Sequence, residues 1–336
     1  QPLSGAHDKQ YVDYSHGVRM VNNEVMIDNI NSQIKTELGK AASYTLFSNE
    51  NGIMSTVEYT LENTAAPAVP MSFAVLPVDA SSVKVLVKAT SGVNYDVMYG
   101  ESIGALTNTK ELDLNNPVIT GLNEGGIYFF ALRAKNTLGT SASSEVLGVN
   151  LMQGDEKCLI VNGFDRAIAG NNHTFISQHG EAFRANNIPF ASATNDAVTD
   201  KLVILTDYTF VDYILGEEST ADKTFDVNEQ ENIKTYLKTG GRLFVSGSEI
   251  GWDLGRSVSG SASNSFMKDY LNCSYVADNP GSSSALYYEA QIIPSQGFGD
   301  DNFSFQYADG NTTTVKYPDV LKPENGALGI MKYKKD

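Results

Sequence analysis

The sequence predicts a multidomain protein in which a β-sandwich is followed by an α/β doubly wound domain with added antiparallel strands. The chain has 336 residues, and because one domain takes roughly 150 residues, two or three domains are expected. A linker with two prolines at residues 65–70 restricts the chain to extended conformations, which is typical of a domain boundary. Beyond residue 154 closely spaced strands give way to strands that alternate with helices, which predicts a second boundary.

Residues 1–64 carry few apolar positions and make a poor independent core. Their pattern predicts a short helix over residues 30–38, ended by Gly39. Apolar and polar side chains then alternate over residues 55–61, which predicts a strand. We therefore expect this segment to be the C-terminal remnant of an upstream domain.

The charge of the chain argues against two classes of partner. There are 24 Lys and Arg against 40 Asp and Glu, which gives a formal net charge of −16. The basic residues form no cluster that would bind a phosphate backbone, so neither nucleic acid nor an anionic membrane is expected as a partner. No stretch approaches the ~20 consecutive apolar residues of a membrane span.

Composition favours an exported protein. Charged residues make up only 19% of the chain, whereas Ser, Thr, Asn, Gly and Tyr are abundant, as in exported proteins of Gram-negative bacteria. The N-terminus has neither the basic nor the apolar region of an export signal. We expect any signal to lie upstream or to have been removed, and the protein to be secreted or located in the periplasm or at the cell surface.

The two cysteines, Cys158 and Cys273, predict no disulfide framework. Each is flanked by apolar or aromatic residues, which indicates burial. Both thiols are expected to be reduced, because Cys158 lies within a predicted central strand and Cys273 follows a predicted helix.

Short strands separated by turns predict a β-sandwich over residues 68–150. Val83, Val85 and Val87 share one strand face, and Tyr95 and Val97 share another. The second half of this segment resembles a fibronectin type III domain. The residues that carry the resemblance are Leu122, Gly125, Tyr128, Phe130, Ala134, Asn136, Gly139, Ser141 and Ser144.

The resemblance implies two details of the sandwich. The family usually has a Trp on an early strand, where this chain offers only valines, so that half of the core must pack differently. Tyr128 is expected to supply the tyrosine corner, with its hydroxyl bonded to backbone near Leu122. An exposed Tyr128 would remove the main support for this interpretation.

Residues 155–336 predict the α/β domain. Residues 158–161 are a short continuous apolar run of the kind buried on both faces of a parallel sheet. A helix is predicted from His173, a strand over residues 211–215, and a further strand over residues 242–246. Asp226 and Glu229 predict a capping box for the helix that ends before the second of these strands.

Three segments of this domain, residues 162–166, 215–219 and 244–253, resemble a domain that follows fibronectin modules in secreted bacterial proteins. Those proteins are called xanthan-lyase-like or golvesin-like, and the domain is similar to class I glutamine amidotransferases. The resemblance covers roughly residues 157–332 and implies a flavodoxin/amidotransferase-like fold. It implies no cofactor. The chain stops at a predicted hairpin turn, where such a domain is expected to add another strand.

Ligands of open α/β sheets bind beyond the carboxyl ends of the strands. The three segments end there, which is expected to bring together the charged residues Asp165, Arg166, Glu217, Glu218, Glu249 and Asp253. Residues 247–251 have the spacing of a strand-to-helix elbow, with Glu249 where a hydrolase has Ser or Cys. Because neither cysteine stands at the elbow, amidotransferase activity is not expected.

Two interpretations of this edge remain open. Glu249 and Asp165 are candidate catalytic carboxylates of a glycan hydrolase, with Arg166, Glu217, His173 and Trp252 as candidate ligand-binding residues. Alternatively, Glu249 bonds backbone amides and an Asp165–Arg166 ion pair orders the loop. His173 also fits a cap or loop residue, and Trp252 fits a core plug as well as a platform for a sugar ring.

Two further regions carry weaker signals. His16, with His7, Asp13 and Ser15, is a candidate catalytic residue of a site completed by upstream residues, although hydrogen-bonded loop residues explain the same pattern. Residues 303–315 predict a hairpin with an Asp-Gly turn. No metal site is predicted, because His173 and His179 are six residues apart and lie on different helix faces.

Two functions of different class follow. The first is a secreted accessory protein of the cell envelope, associated with a polysaccharide or another cell-surface component through a degenerate amidotransferase-like domain. The second is a hydrolase that acts on a glycan or cell-wall substrate. The first is preferred, because the recognisable elbow lacks its usual nucleophile.

Overall fold

The protein divides into two compact units, Gln1–Thr64 and Ala65–Asp336. In the computed structural model, the described residues are 24–27, 30–38, 40–46, 65–167, 171–218, 223–280, 289–292, 304–306 and 318–333. The division between the units falls at the start of the predicted linker. Each unit is therefore described by itself.

The first unit contains a small hairpin, β1 (Glu24–Ile27) paired antiparallel with β2 (Ile30–Gln33), followed by α1 (Ile34–Leu38) and a 3-10 turn at Tyr44–Leu46. Only the second half of the predicted helix over residues 30–38 is helical. The first half carries Asn31 and Ser32, whose side chains compete with helical backbone bonding; Ser32 donates to the Glu37 carboxylate instead. The predicted strand at residues 55–61 lies outside the described residues.

The second unit begins with a β-sandwich. Its strands are β3 (Phe73–Asp79), β4 (Ser82–Val87), β5 (Asn94–Gly100), β6 (Asn108–Glu111), β7 (Val118–Ile119), β8 (Ile127–Asn136), β9 (Gly139–Thr140) and β10 (Leu147–Asn150). One layer has the order β3-β4-β7 and the other β6-β5-β8-β10, with all pairs antiparallel. Val83, Val85 and Val97 are fully buried between the layers, so valines do fill the core of the early strands.

The predicted tyrosine corner is confirmed. Tyr128 is buried on β8, and its hydroxyl accepts a hydrogen bond of 2.9 Å from the backbone N–H of Asn123. The same hydroxyl lies 2.9 Å from the Glu101 carboxylate, to which it donates. The corner therefore connects the segment before β8 to β8 itself.

A four-stranded parallel sheet follows the sandwich. Its strands are β11 (Cys158–Asn162), β12 (Phe190–Thr194), β13 (Phe210–Gly216) and β14 (Arg242–Gly247), in the order β14-β13-β11-β12. Leu159 is in register with Val211, and Val211 with Leu243. The prediction that these strands are parallel neighbours is confirmed. Strand β12 was not predicted, because its Ala-Ser-Ala-Thr residues are small and give only a weak apolar alternation.

Helices cover both faces of this sheet. They are α2 (Phe175–Ala185), α3 (Asn195–Thr199), α4 (Val227–Lys238), α5 (Ile250–Gly255) and α6 (Ser261–Asp269). Ile176 of α2 packs into the sandwich core, whereas Ile233 and Tyr236 of α4 pack into a second core on the opposite face. The capping box of α4 is present, with Asp226 and Glu229 bonded reciprocally.

Strand β12 joins the sandwich to the parallel sheet. At its start Phe190 pairs with Asn150 of β10, and further along Ala193 pairs with Ala74 of β3. Both layers of the sandwich therefore meet the same strand, and the two predicted segments, 68–150 and 155–336, share one continuous sheet.

Antiparallel strands are added after α6. Strand β15 (Cys273–Ala277) pairs with β18 (Val320–Pro323), and β16 (Glu289–Ile292) pairs with both β17 (Ser304–Gln306) and β19 (Met331–Tyr333). The rest of the hairpin predicted at residues 303–315 lies outside the described residues. Cys158 and Cys273 are both free thiols, as predicted.

Candidate functional site

The carboxyl ends of β11 and β13 form a topological switch point. The connection that leaves β11 runs through α2 on one face of the sheet, and the connection that leaves β13 runs through α4 on the other. Adjacent strands whose connections leave in opposite directions open a crevice between their carboxyl ends, where ligands of such sheets bind. The loops after β11, β13 and β14 meet at this place, which we call the acidic edge.

The loop after β11 is held by a buried carboxylate from the loop after β13. Glu218 is almost fully buried, and its Oε2 accepts hydrogen bonds from the backbone N–H groups of Asp165 (2.8 Å) and Arg166 (3.3 Å). The Arg166 guanidinium donates to the carbonyl of Glu217 at 3.3 Å. Glu218 thus orders the loop, in the role that sequence reasoning gave to an Asp165–Arg166 ion pair.

Asn171 ties the same two loops from the other side. Its amide nitrogen donates to the carbonyl of Arg166 at 2.8 Å, and its amide oxygen accepts from the backbone N–H of Glu217 at 3.0 Å. Gly216 has a φ of +50°, and an added Cβ at this position would collide with the Asn171 side chain. The close approach of the loops therefore requires glycine at residue 216.

His173 lies beside this crevice but serves the scaffold. Its Nε2 is 2.8 Å from the carbonyl of Phe164, to which it donates, and its ring packs on the Phe164 ring with centroids 4.6 Å apart. These contacts fix the start of α2 to the loop after β11. The alternative that His173 is a cap or loop residue agrees with this geometry.

Glu249 occupies the elbow between β14 and α5. The backbone N–H of Ser248 donates to the carbonyl of Gly216 at 2.9 Å, which joins the elbow to the end of β13. Glu249 is the N-cap residue of α5, yet its side chain makes no capping hydrogen bond. Among the described residues no group donates to its carboxylate, and the side chain is half-buried.

The pKa of Glu249 is raised to about 7. Burial is the largest cause, and the carboxylates of Asp319 and Asp278 raise the pKa further, whereas Arg166 lowers it. The raised carboxyl pKa expected at this edge is present, but its cause differs from the expected repulsion among Asp165, Glu217 and Glu249: burial, Asp319 and Asp278 dominate, and Glu217 contributes least. Near pH 7 the Glu249 carboxyl can therefore both hold and release a proton.

Asp319 performs the scaffolding role at the elbow. Its carboxylate accepts hydrogen bonds from the backbone N–H groups of Gly251 (2.6 Å) and Trp252 (3.1 Å), the first free amides of α5. Burial raises the pKa of Asp319 to about 7, while these two bonds lower it. Asp319 stands far from the elbow in sequence, so sequence reasoning missed it and assigned the amides to Glu249.

Trp252 and Asp253 make different kinds of contact. Trp252 is half-buried, and the Arg256 guanidinium covers one face of its ring, with Cζ 3.1 Å from the centroid. Its ring belongs to neither hydrophobic core of the described residues. Asp253 is buried and bonded to the backbone N–H of Thr224 and to Lys223, both at 2.9 Å. Asp253 therefore holds the chain at Lys223 and Thr224 in place and is not part of the acidic edge.

A second group of carboxylates extends the acidic edge toward β12. Burial raises the pKa of Glu145 to about 8, and Asp165 and Asp196 raise it further. The Asn162 amide donates to the Glu145 carboxylate at 2.8 Å. The pKa of Asp196 is likewise raised, by burial and then by Asp165. Sequence reasoning missed Glu145 because it precedes β10, outside the α/β segment.

His16 lies outside the described residues, as do His7, Asp13 and Ser15. Within the described ranges no three His, Cys, Asp or Glu residues are grouped so that they could hold a metal ion. Of the helices that the structure describes, none is long and apolar enough to cross a membrane.

No protein-family model matches the chain, and no curated protein matches it. Similar solved structures are fibronectin type III domains. The FN1–FN3 domains of chicken CNTN1 are 17% identical with a TM-score of 0.23, over 25% of this chain and 32% of that one. The FN5 domain of Drosophila Lar is 22% identical with a TM-score of 0.22, over 26% of this chain and 99% of that one. The fn3 domain of human contactin 1 is 17% identical with a TM-score of 0.24, over 30% and 92%.

This chain thus spans about a third of the chicken fragment. At these identities and TM-scores the likenesses establish neither a family nor a function, and the sandwich rests on its own strand pairing. The chain is predominantly β-sheet and sandwich-like, with the parallel strands and helices described above.

Proposed function

We propose that this chain is a secreted or periplasmic accessory protein that binds a polysaccharide or another cell-surface component through the acidic edge. The observation that carries the proposal is the state of Glu249. Its carboxylate is half-buried at the meeting point of three strand ends and accepts no hydrogen bond from the described residues. A half-buried carboxylate without protein donors is destabilised in its charged form, and a ligand hydroxyl can donate to it.

The surroundings of Glu249 favour a polyhydroxyl ligand or a cation over an anion. Asp319, Asp278 and Glu217 all raise the pKa of Glu249, because the potential that they create around it is negative. Such a potential repels anions. Hydroxyl groups donate to carboxylates without carrying charge, as the neutral sugars of a polysaccharide do.

The relation to amidotransferases belongs to the same proposal. The order of the four parallel strands matches the flavodoxin-like order, which supports a flavodoxin/amidotransferase-like domain. The elbow carries Glu249, while Cys158 lies on β11 and Cys273 on β15. Burial raises the pKa of each thiol to about 11, so neither supplies the thiolate that amidotransferase chemistry needs. We therefore infer a degenerate amidotransferase-like domain.

A glycan array of neutral and acidic polysaccharides tests the proposal. The intact chain should retain one or more neutral glycans, and Glu249→Gln should lose at least about tenfold in affinity, since bonds to charged groups are worth roughly 1.5–3 kcal/mol. Glu181→Gln, which removes an exposed carboxylate on α2, is the matched control. The proposal is contradicted if no glycan is retained, or if both variants bind like the parent chain.

The second candidate function is a glycan hydrolase. It is favoured by the pKa of about 7 for Glu249, because a general acid or base works best when its pKa lies near the working pH. Release of reducing ends from any retained glycan would support hydrolysis, and Glu249→Gln should then abolish turnover while the glycan still binds. Binding without turnover supports the accessory function.

A further inference from the structure

A cleft of about 570 Å³ lies on the α2 face of the parallel sheet, toward the amino ends of the strands and away from the acidic edge. Its walls are the side chains of Phe183 on α2, Phe210 on β13 and Phe244 on β14. The rings of Phe183 and Phe210 pack with centroids 5.8 Å apart. Phe244 is 51% exposed, so an aromatic wall of this cleft faces solvent.

A buried carboxylate stands in this apolar setting. Asp212 on β13 is only 3% exposed and lines the cleft. Its Oδ2 accepts a hydrogen bond of 2.7 Å from His179 Nδ1, and its Oδ1 has no partner among the described residues. A buried carboxylate with a single donor destabilises a fold. The arrangement is explained if Asp212 serves to orient His179.

His179 presents the reactive side of the pair. Its side chain is 23% exposed and lines the cleft. Since Asp212 occupies Nδ1, the remaining ring nitrogen is Nε2, which makes no hydrogen bond within the described part of the chain. In the neutral ring Nε2 accepts, and in the charged ring it donates. With Nδ1–H donated to Asp212, Nε2 of the neutral ring is an acceptor, so a ligand hydroxyl that donates its hydrogen fits it.

The thiol in the cleft does not complete a catalytic triad. Cys158 lines the cleft, but burial raises its pKa to about 11. A thiol with so high a pKa is a poor nucleophile near neutral pH. The Asp212–His179 pair therefore fits ligand recognition better than covalent chemistry.

We propose that this cleft is a second binding site, which takes a small aromatic ligand bearing a hydroxyl group. The aromatic walls pack against the ring of the ligand, and His179 Nε2 bonds its hydroxyl while Asp212 positions the imidazole. The volume of the cleft lies in the range of about 300–1,000 Å³ that is typical of small-molecule sites. The site is independent of the acidic edge and of the function proposed for it.

The test compares two probes of nearly equal size, p-cresol and 4-fluorotoluene, with the full chain. Only p-cresol carries a hydroxyl group. Affinities are measured by titration with NMR detection of the imidazole resonances, which also report the tautomer of His179. We expect p-cresol to bind roughly threefold to tenfold more tightly than 4-fluorotoluene, the effect of one hydrogen bond, and to shift the His179 resonances.

Two variants separate the polar and the aromatic contributions. Asp212→Asn keeps the shape of the side chain but places a donor opposite His179 Nδ1, so the tautomer should change and the preference for p-cresol should fall to within about twofold. Phe244→Ser should weaken both probes by at least about threefold. Because Phe244 is half exposed, this second variant should fold even if Asp212→Asn does not.

Val276→Ser, which removes an exposed side chain on β15 outside the cleft, is the matched control and should bind both probes like the parent chain. The proposal is overturned if the two probes bind equally well to the parent chain. It is also overturned if p-cresol leaves the His179 resonances unmoved, or if Phe244→Ser binds both probes as tightly as Val276→Ser does.

Discussion

Replacing Glu249 by Gln should stabilise the second unit at alkaline pH and leave it unchanged at acidic pH. The pKa of Glu249 rises from its ordinary value of 4.5 to about 7 on folding, chiefly through burial. Between these two values the folded state binds more protons than the unfolded state, so stability falls as pH rises through this window. The amide of the Glu249→Gln variant has no such proton to lose.

The size of the effect follows from the difference of about 2.5 between the two pKa values. At 1.36 kcal/mol for each pKa unit the upper bound is about 3.4 kcal/mol. Because Glu249 is only half-buried, solvent screening reduces this figure, and we expect about 1–2 kcal/mol. Groups that do not interact with Glu249, such as Glu145, cancel in the comparison.

Urea denaturation at pH 4.5 and at pH 8 measures this difference. The free energy of unfolding of Glu249→Gln, minus that of the parent chain, should be near zero at pH 4.5 and about 1–2 kcal/mol at pH 8. The control Glu181→Gln should show the same small difference at both pH values. Equal differences for Glu249→Gln at the two pH values, or a loss of stability at pH 8, would refute the reasoning.

Two further substitutions test the tyrosine corner of the sandwich and the contact between the loops at the acidic edge. Tyr128→Phe removes the hydroxyl that bonds Asn123 and Glu101 and should cost about 1–2 kcal/mol in urea denaturation. Tyr99→Phe, on a ring that stacks on Phe130, should cost clearly less, and equal costs would contradict the corner. Gly216→Ala should destabilise by about 1–3 kcal/mol, because residue 216 has a positive φ and its Cβ would meet Asn171. Gly104→Ala, where a Cβ has open space, should be near neutral, and a similar loss in both would show that the loop contact is not tight.

The parts of the fold that the sequence predicts are those that depend on patterns between residues close together in the chain. The apolar runs of β11, β13 and β14 predict buried parallel strands, and the Asp226–Glu229 spacing predicts the capping box of α4. Strand β12 escapes such reasoning. Its Ser192 and Thr194 look like loop residues in sequence, but they bond the backbone of Gly148 and Phe73, which lie far away along the chain.

The candidate sites show the same limit. Convergence of the loops that carry Asp165, Glu217 and Glu249 follows from strand topology and could be predicted. That Asp319 caps α5, and so leaves Glu249 without a backbone partner, depends on a contact between residues 68 positions apart. The Asp212–His179 pair joins two elements 33 residues apart, and no spacing rule connects them.

The shared strand β12 bears on how the chain transmits force. A sandwich linked to its neighbour by a flexible tether swings freely, and a pull on one is felt by the other only when the tether is taut. Here Asn150 and Ala74, from opposite layers of the sandwich, both pair with β12. A load applied to the sandwich therefore reaches the parallel sheet through backbone pairing from both layers rather than through a single linker.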